Sequence, residues 1–163
     1  MAAGSTYTPI ATTTLGSAVA SYTFSSIPST YTDLVLIVSV FSSGGGNTYL
    51  RFNSDSSSIY SRTQLSGNGS SAASGRVSNT NAGYIDAVPN QTPSEVIIVN
   101  LQNYSNGQVY KTFLARANNA ANGVQASVGL WRQTDAINSI LIATDSGTMT
   151  AGTQLTLYGI QAA

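Results

Sequence analysis

Leu34-Val35-Leu36-Ile37-Val38-Ser39-Val40-Phe41 is the longest apolar run in the chain. Its length and β-branched content read as one strand, and because it is apolar on both faces it reads as a central strand covered twice. Asp33 precedes it and the glycines 44–46 end it. Eight residues are far too few to cross a membrane. A fold built around such a strand needs further strands on either side of it, and the flanking sequence supplies them.

Upstream, Tyr22 and Phe24 alternate with Ser and Thr. Downstream, Tyr49–Asn53 (YLRFN) alternates with Leu50 and Phe52 inward. Five more runs read as strands: Glu95–Leu101, Val109–Asn118, Val124–Trp131, Ile137–Ala143 and Gln154–Ile160. Asn-Gly at 106–107 and 122–123 and Ser-Gly at 146–147 supply turn chemistry between them. Residues 54–93 form a long polar, loop-rich region with at most two weak strands, near Ile59–Leu65 and Arg76–Asn79. Ala115–Ala121 has some helical character, but Asn118, Asn119 and Gly123 favour strand and turn. No long stretch keeps a 3.6-residue period. The expected fold is therefore all-β, an antiparallel sandwich of eight to ten strands in one domain spanning 1–163. Residues 1–15 carry Tyr7, Pro9, Ile10 and a Thr run without strong alternation. They are expected to form an arm docked on a neighbouring subunit, with a first edge strand tolerating Pro9 as the alternative.

The composition excludes much chemistry. The chain has no His and no Cys, and only six basic and six acidic residues. Without imidazole or thiolate there is no Ser-His-Asp or Cys-His machinery and no ordinary zinc, copper or iron–sulfur site. Zero net charge offers no field for a phosphate backbone, so nucleic acid is not an expected partner. It also protects poorly against self-association. An apolar content of 42% argues against disorder, and a chain of this length buries about 70% of its unfolded surface. No targeting segment is expected from the N-terminus, which lacks a basic region followed by an apolar stretch. The Asn-x-Ser/Thr triplets at Asn68, Asn90 and Asn103 are of the number that chance gives in so Asn- and Ser-rich a chain.

What chemistry remains is carried by few residues. Asp33, Asp55, Asp86, Glu95, Asp135 and Asp145 are scattered, so a two-carboxylate glycosidase has no local motif, and they read as strand-end and turn residues. Asp33 and Glu95, each directly before an apolar run, read as gatekeepers against foreign edge pairing. Asn53-Ser54-Asp55-Ser56 is oxygen-rich, but it lacks the acid count of a calcium loop and reads as a turn. Arg51 and Arg116 lie inside strands, as partners of an acid or as subunit contacts. Nine tyrosines carry most of the aromatic content. Tyr60 and Tyr84 are candidates for a ligand- or partner-facing loop, and Trp131 for a core anchor. Tyr7, Pro9, Ile10, Arg51 and Arg116 are the candidate interface. No catalytic residue, metal ligand or cofactor is expected.

The opening STYTPIATTTLGSAVASYTFSSIPSTYTDLVLIV, the segment RFNSDSSSIYS at 51–61, TFLARANNA, VGLWRQTDAINSILI and the closing GTQLTLYGIQAA resemble small virion proteins of tailed bacteriophages. The resemblance covers nearly the whole chain outside 65–93. It implies a jelly-roll type sandwich acting in the virion, commonly as a trimer, as a capsid decoration or cement protein or as a fibre or tail-tip module. It brings no catalytic or metal-binding residues. The expectation is a homotrimer bound to the major capsid protein at the capsid surface. The alternative is a tail-fibre or tail-tip domain that binds cell-surface glycan. Neither a nucleic acid nor a membrane is an expected partner.

Overall fold

The computed structural model describes residues 6–40, 46–86, 95–119, 121 and 123–161. These form twelve strands: β1 (Tyr7–Thr14), β2 (Ser21–Phe24), β3 (Asp33–Val40), β4 (Thr48–Phe52), β5 (Tyr60–Gly67), β6 (Ala72–Thr80), β7 (Gly83–Tyr84), β8 (Glu95–Leu101), β9 (Lys111–Asn119), β10 (Gly123–Trp131), β11 (Ile140–Thr144) and β12 (Gln154–Ile160). They pair into an eight-stranded sheet, β1-β12-β3-β8-β9-β10-β5-β6, and a four-stranded sheet, β2-β11-β4-β7. The protein is an antiparallel β-sandwich.

The strand order resolves into two parts. Eight strands pair as β1-β12-β3-β8 and β2-β11-β4-β7, so the chain alternates between two four-stranded sheets in the jelly-roll manner. The other four, β9, β10, β5 and β6, continue the first sheet beyond β8. They arrive as two hairpins, β5–β6 and β9–β10, inserted between body strands. We call the two parts the body and the extension.

The core lies between the sheets. Leu34, Leu36 and Val38 of β3, Ile97, Val99 and Leu101 of β8, and Leu155 and Leu157 of β12 meet Phe24, Leu50, Phe52, Ile140 and Ile142 of the small sheet. Full burial of each such side chain contributes about 1.5–3 kcal/mol. At the junction with the extension, Phe52 packs on Phe113 (5.9 Å), Trp131 (5.5 Å) and Tyr60 (6.2 Å), and Trp131 stacks on Tyr60. The Phe113 ring fills the space above Gly129, its cross-strand partner, and a Cβ there would run into it.

Two expectations change at this level. Tyr7–Thr14 is not an arm but the edge strand β1, paired with β12 from Tyr7–Ile160 to Thr14–Gln154. A bulge between Pro9 and Ala11 absorbs the proline. The polar region from 54 is largely strand rather than loop: β5 and β6 are a long hairpin and β7 adds a two-residue pairing with β4. Its last part, 87–93, lies outside the described residues. These two elements account for twelve strands where eight to ten were expected, because β1 is Thr-rich without apolar alternation and β7 is too short to carry a pattern.

Candidate functional site

Residues exposing large apolar side chains are confined almost entirely to the extension and the loop entering it. They are Leu65 on β5, Val77 on β6, Leu114 on β9, Val124 and Val128 on β10, and Val109 and Tyr110 just before β9. Tyr7 on β1 is the exception among the described residues. For Leu65, Leu114, Val124 and Val128 the cause is the period-2 geometry of a strand covered on one face only, whereas Val77, paired with Arg62, lies on the other side of the sheet. Inward, β9 carries Phe113, Ala115 and Ala117, and β10 carries Gln125, Ser127, Gly129 and Trp131, all buried. Outward, the alternate positions are Leu114 and Arg116, and Val124, Ala126 and Val128.

Register sets these outward residues side by side. Leu114 pairs with Val128, which pairs with Thr63, and Thr63 with Arg76. In the next row Ile98 pairs with Arg116, Arg116 with Ala126, and Ala126 with Leu65. In the third, Val96 pairs with Asn118 and Asn118 with Val124. Two shallow grooves result. One, about 510 Å³, runs past Asn100, Gln102, Thr112, Leu114 and Val128. The other, about 350 Å³, runs past Val96, Ile98, Asn118, Val124 and Ala126. Arg116 lines both, exposed at the ridge between them, with no hydrogen bond or ion pair among the described residues. A contiguous apolar face of this kind on a sheet is the usual mark of a contact surface.

The other residues singled out from the sequence lie elsewhere. Tyr7 and Pro9 are exposed on β1, at the opposite edge of the same sheet, so they are not brought beside Arg116. Ile10 points inward and packs against the core, which removes it from an interface. Arg51 is spent within the chain: its Nε donates to the Asn81 carbonyl (3.0 Å) and its guanidinium lies 5.1 Å from the Tyr49 ring centre. Tyr60 is fully buried, which corrects its assignment to a partner-facing loop. Its hydroxyl accepts from the Phe52 amide (3.0 Å) and donates to the Asp55 carbonyl (3.2 Å), and burial, the largest influence on it, pushes its pKa up to about 12. Tyr84 is half-buried between the Tyr49 ring and the Arg62 guanidinium, 5.4 Å from its centre.

The oxygen-rich stretch at 53–56 is a turn, and its Asn53 and Asp55 side chains are committed. Asn53 and Ser54 sit at φ 53° and 59°. The Asn53 Oδ1 accepts from the amides of Asn138 and Ser139, and its Nδ2 donates to the Ala136 carbonyl. The Asp55 carboxylate accepts from the Trp131 indole (2.7 Å) and from the amide and hydroxyl of Ser57. Burial alone would raise the Asp55 pKa, but these hydrogen bonds outweigh it and hold it below its ordinary value. So RFNSDSSSIYS and VGLWRQTDAINSILI form one structural corner.

Two charged sites were not legible in the sequence. Asp86 and Glu95 meet in the interior, both buried. Burial, reinforced by the neighbouring Asp86 carboxylate, pushes the Glu95 pKa up to about 9, so it is neutral at pH 7. Glu95 is thus an interior residue and not one standing on the surface at a strand end. Asp33 keeps a strand-end role, accepting from the Asn103 amide at 2.8 Å. Lys111 is also buried; its ammonium donates to the carbonyls of Asn106, Val109 and Thr134. Burial lowers its pKa, and the nearby Asp135 partly opposes that shift.

No protein-family model matches the chain, and no curated protein is similar to it.

Proposed function

We propose that the protein is a non-enzymatic structural protein of a bacteriophage particle, a homotrimer that binds the major capsid protein and decorates or cements the capsid surface. The observation that carries the reading is the uncovered apolar face of the extension, centred on Leu114, Val124 and Val128. A nine-residue strand with three or four outward apolar side chains costs solubility unless something covers them. The near absence of charge fits repeated static packing, since hydrogen-bonding side chains respond little to salt. Contacts on a lattice are multivalent, so individually weak patches gain from the effective concentration that a symmetric array sets. The reading's location in the virion rests on the resemblance drawn from the sequence segments alone.

The test has two parts. The protein expressed alone is weighed by light scattering, then sedimented with undecorated capsids. Trimers that co-sediment at saturable stoichiometry are expected, and Val128→Asp is expected to abolish co-sedimentation while leaving the protein folded. A folded protein that never associates with capsids would overturn the proposal.

A further inference from the structure

The four extension strands contain Lys111, Arg62, Arg76 and Arg116 and not one acidic residue. Two of these cations, Arg116 and Arg76, lie on the outer face with the apolar rows, both exposed and unpaired among the described residues. Pairing this face with the same face of a second copy would bring cations together in a desolvating interface, which is costly. The favoured cover is a different surface with an apolar patch and a carboxylate.

The chain carries such a surface. Val109 and Tyr110 are exposed directly before β9. The Lys111 ammonium ties the Val109 carbonyl and the Thr134 carbonyl to one point, so the next residue, Asp135, sits beside this apolar pair. Asp135 and Ala136 are exposed, and the carboxylate makes no hydrogen bond among the described residues. Asp135 acts on the Lys111 ammonium through space only, whereas the other acids are hydrogen-bonded or buried. Asp145 is held twice by Asn47, Asp55 by Trp131 and Ser57, Asp33 by Asn103, and Asp86 and Glu95 are buried.

We infer that the Val109–Tyr110–Asp135 corner of one copy docks on the outer face of the extension of the next, with Asp135 opposite Arg116 and the apolar pair in the flanking grooves. The inference deepens the assembly reading above. Because the two patches are made of different residues, the contact is head-to-tail, and its closed form is a ring of like subunits. The buried Lys111 holds the docking corner in shape.

Charge exchange tests it. Arg116→Glu and Asp135→Arg should each reduce the wild-type oligomer to monomer in sedimentation velocity, with unchanged circular dichroism. The doubly exchanged chain R116E/D135R should reassemble, since its contact is again opposite in sign. A wild-type chain that stays monomeric at high concentration, a single variant that keeps the oligomer, or a double exchange that fails to restore it overturns the inference. Monomers that still bind capsids would leave the capsid reading intact. Rings that never bind capsids would remove the capsid reading and leave the inference standing.

Discussion

Body and extension share one sheet, yet they treat their outer faces differently. On β3, in the body, the outward Val35 is almost fully buried and Ile37 half-buried. On β10, in the extension, the outward Val124 and Val128 are 59% and 55% exposed. The core closes the inner faces of β3, β8, β9 and the Trp131 end of β10, whereas β6 has no buried position on either face. The outer face of β3 in the body is therefore largely covered within the chain, whereas that of β10 in the extension is not. Stability is thus carried by the inner face, and under the proposed function assembly falls to the outer one, so the contrast can be attacked from each side.

The largest effect is expected where the two parts join. Trp131 contacts Phe52 and Tyr60 and donates to Asp55, so Trp131→Ala empties the junction and frees the corner. A loss of about 3–5 kcal/mol is expected in chemical denaturation. A loss below about 1 kcal/mol would mean that the extension is not anchored through this cluster. Next comes Lys111→Met, which keeps the aliphatic stem but leaves the carbonyls of Asn106, Val109 and Thr134 without their donor. We expect it to destabilise by about 2–4 kcal/mol, since the group removed is a charged, multiply bonded one. Its local effect should appear as faster amide exchange across 103–110 and 132–137, with the jelly-roll strands unchanged until global unfolding.

Much of this contrast was written in the sequence, and its limits are physical. The apolar runs around Leu36, Val99 and Leu157 were legible because a strand covered on both sides, or packed on one, leaves a pattern of period zero or two. The exposed face was legible only as alternation: Val124, Ala126 and Val128 alternate with Gln125, Ser127 and Gly129, and the pattern alone points the valines inward. The structure reverses this, since the polar and small residues are inside, where Gly129 makes room for Phe113. Local pattern cannot tell which face of an alternating strand meets the core when the other face is also destined for burial. Arg116 stood out as a cation within a strand, but its setting between two grooves depends on β8 and β10, far away in sequence. The meeting of Asp86 with Glu95 likewise depends on topology. Tyr60 was misplaced because a tyrosine beside a serine-rich turn looks exposed; only the Phe52–Trp131 stack explains its burial.

Glu95 gives a pH signature. Its folded pKa of about 9 lies above the unfolded value near 4.5, so between these the folded state holds a proton that the unfolded state has released. Stability is then greatest below about pH 4.5 for this group and declines as pH rises towards 9, with a slope limited to about 1.4 kcal/mol per pH unit for one proton. Glu95→Gln, which stays neutral, should flatten the decline in a series of melts from pH 5 to 9. An unchanged slope would place the ionisation elsewhere. Asp55 acts in the opposite direction: its lowered pKa stabilises above the unfolded value of 3.8, and that contribution fades only in acid.

The smallest expected change in stability decides the most. Val128→Asp lies at the centre of the outer face, beside Leu114 and Thr63, and touches nothing across the sandwich. If the face is uncovered in the single chain, the substitution should shift the unfolding free energy of the monomer by less than about 0.5 kcal/mol. The same substitution at Ile97 or Leu157, buried in the body, should cost several kcal/mol because it strands a charge in the core. Association should respond in reverse, with Val128→Asp losing it and a mild core change such as Ile97→Val retaining it. The two measurements must be made on one sample, melting at a concentration where the wild type is dissociated and sedimentation where it is not. A Val128→Asp monomer destabilised by more than about 1 kcal/mol would mean that the extension's outer face is packed within its own chain, and body and extension would no longer differ in the way their exposed valines indicate.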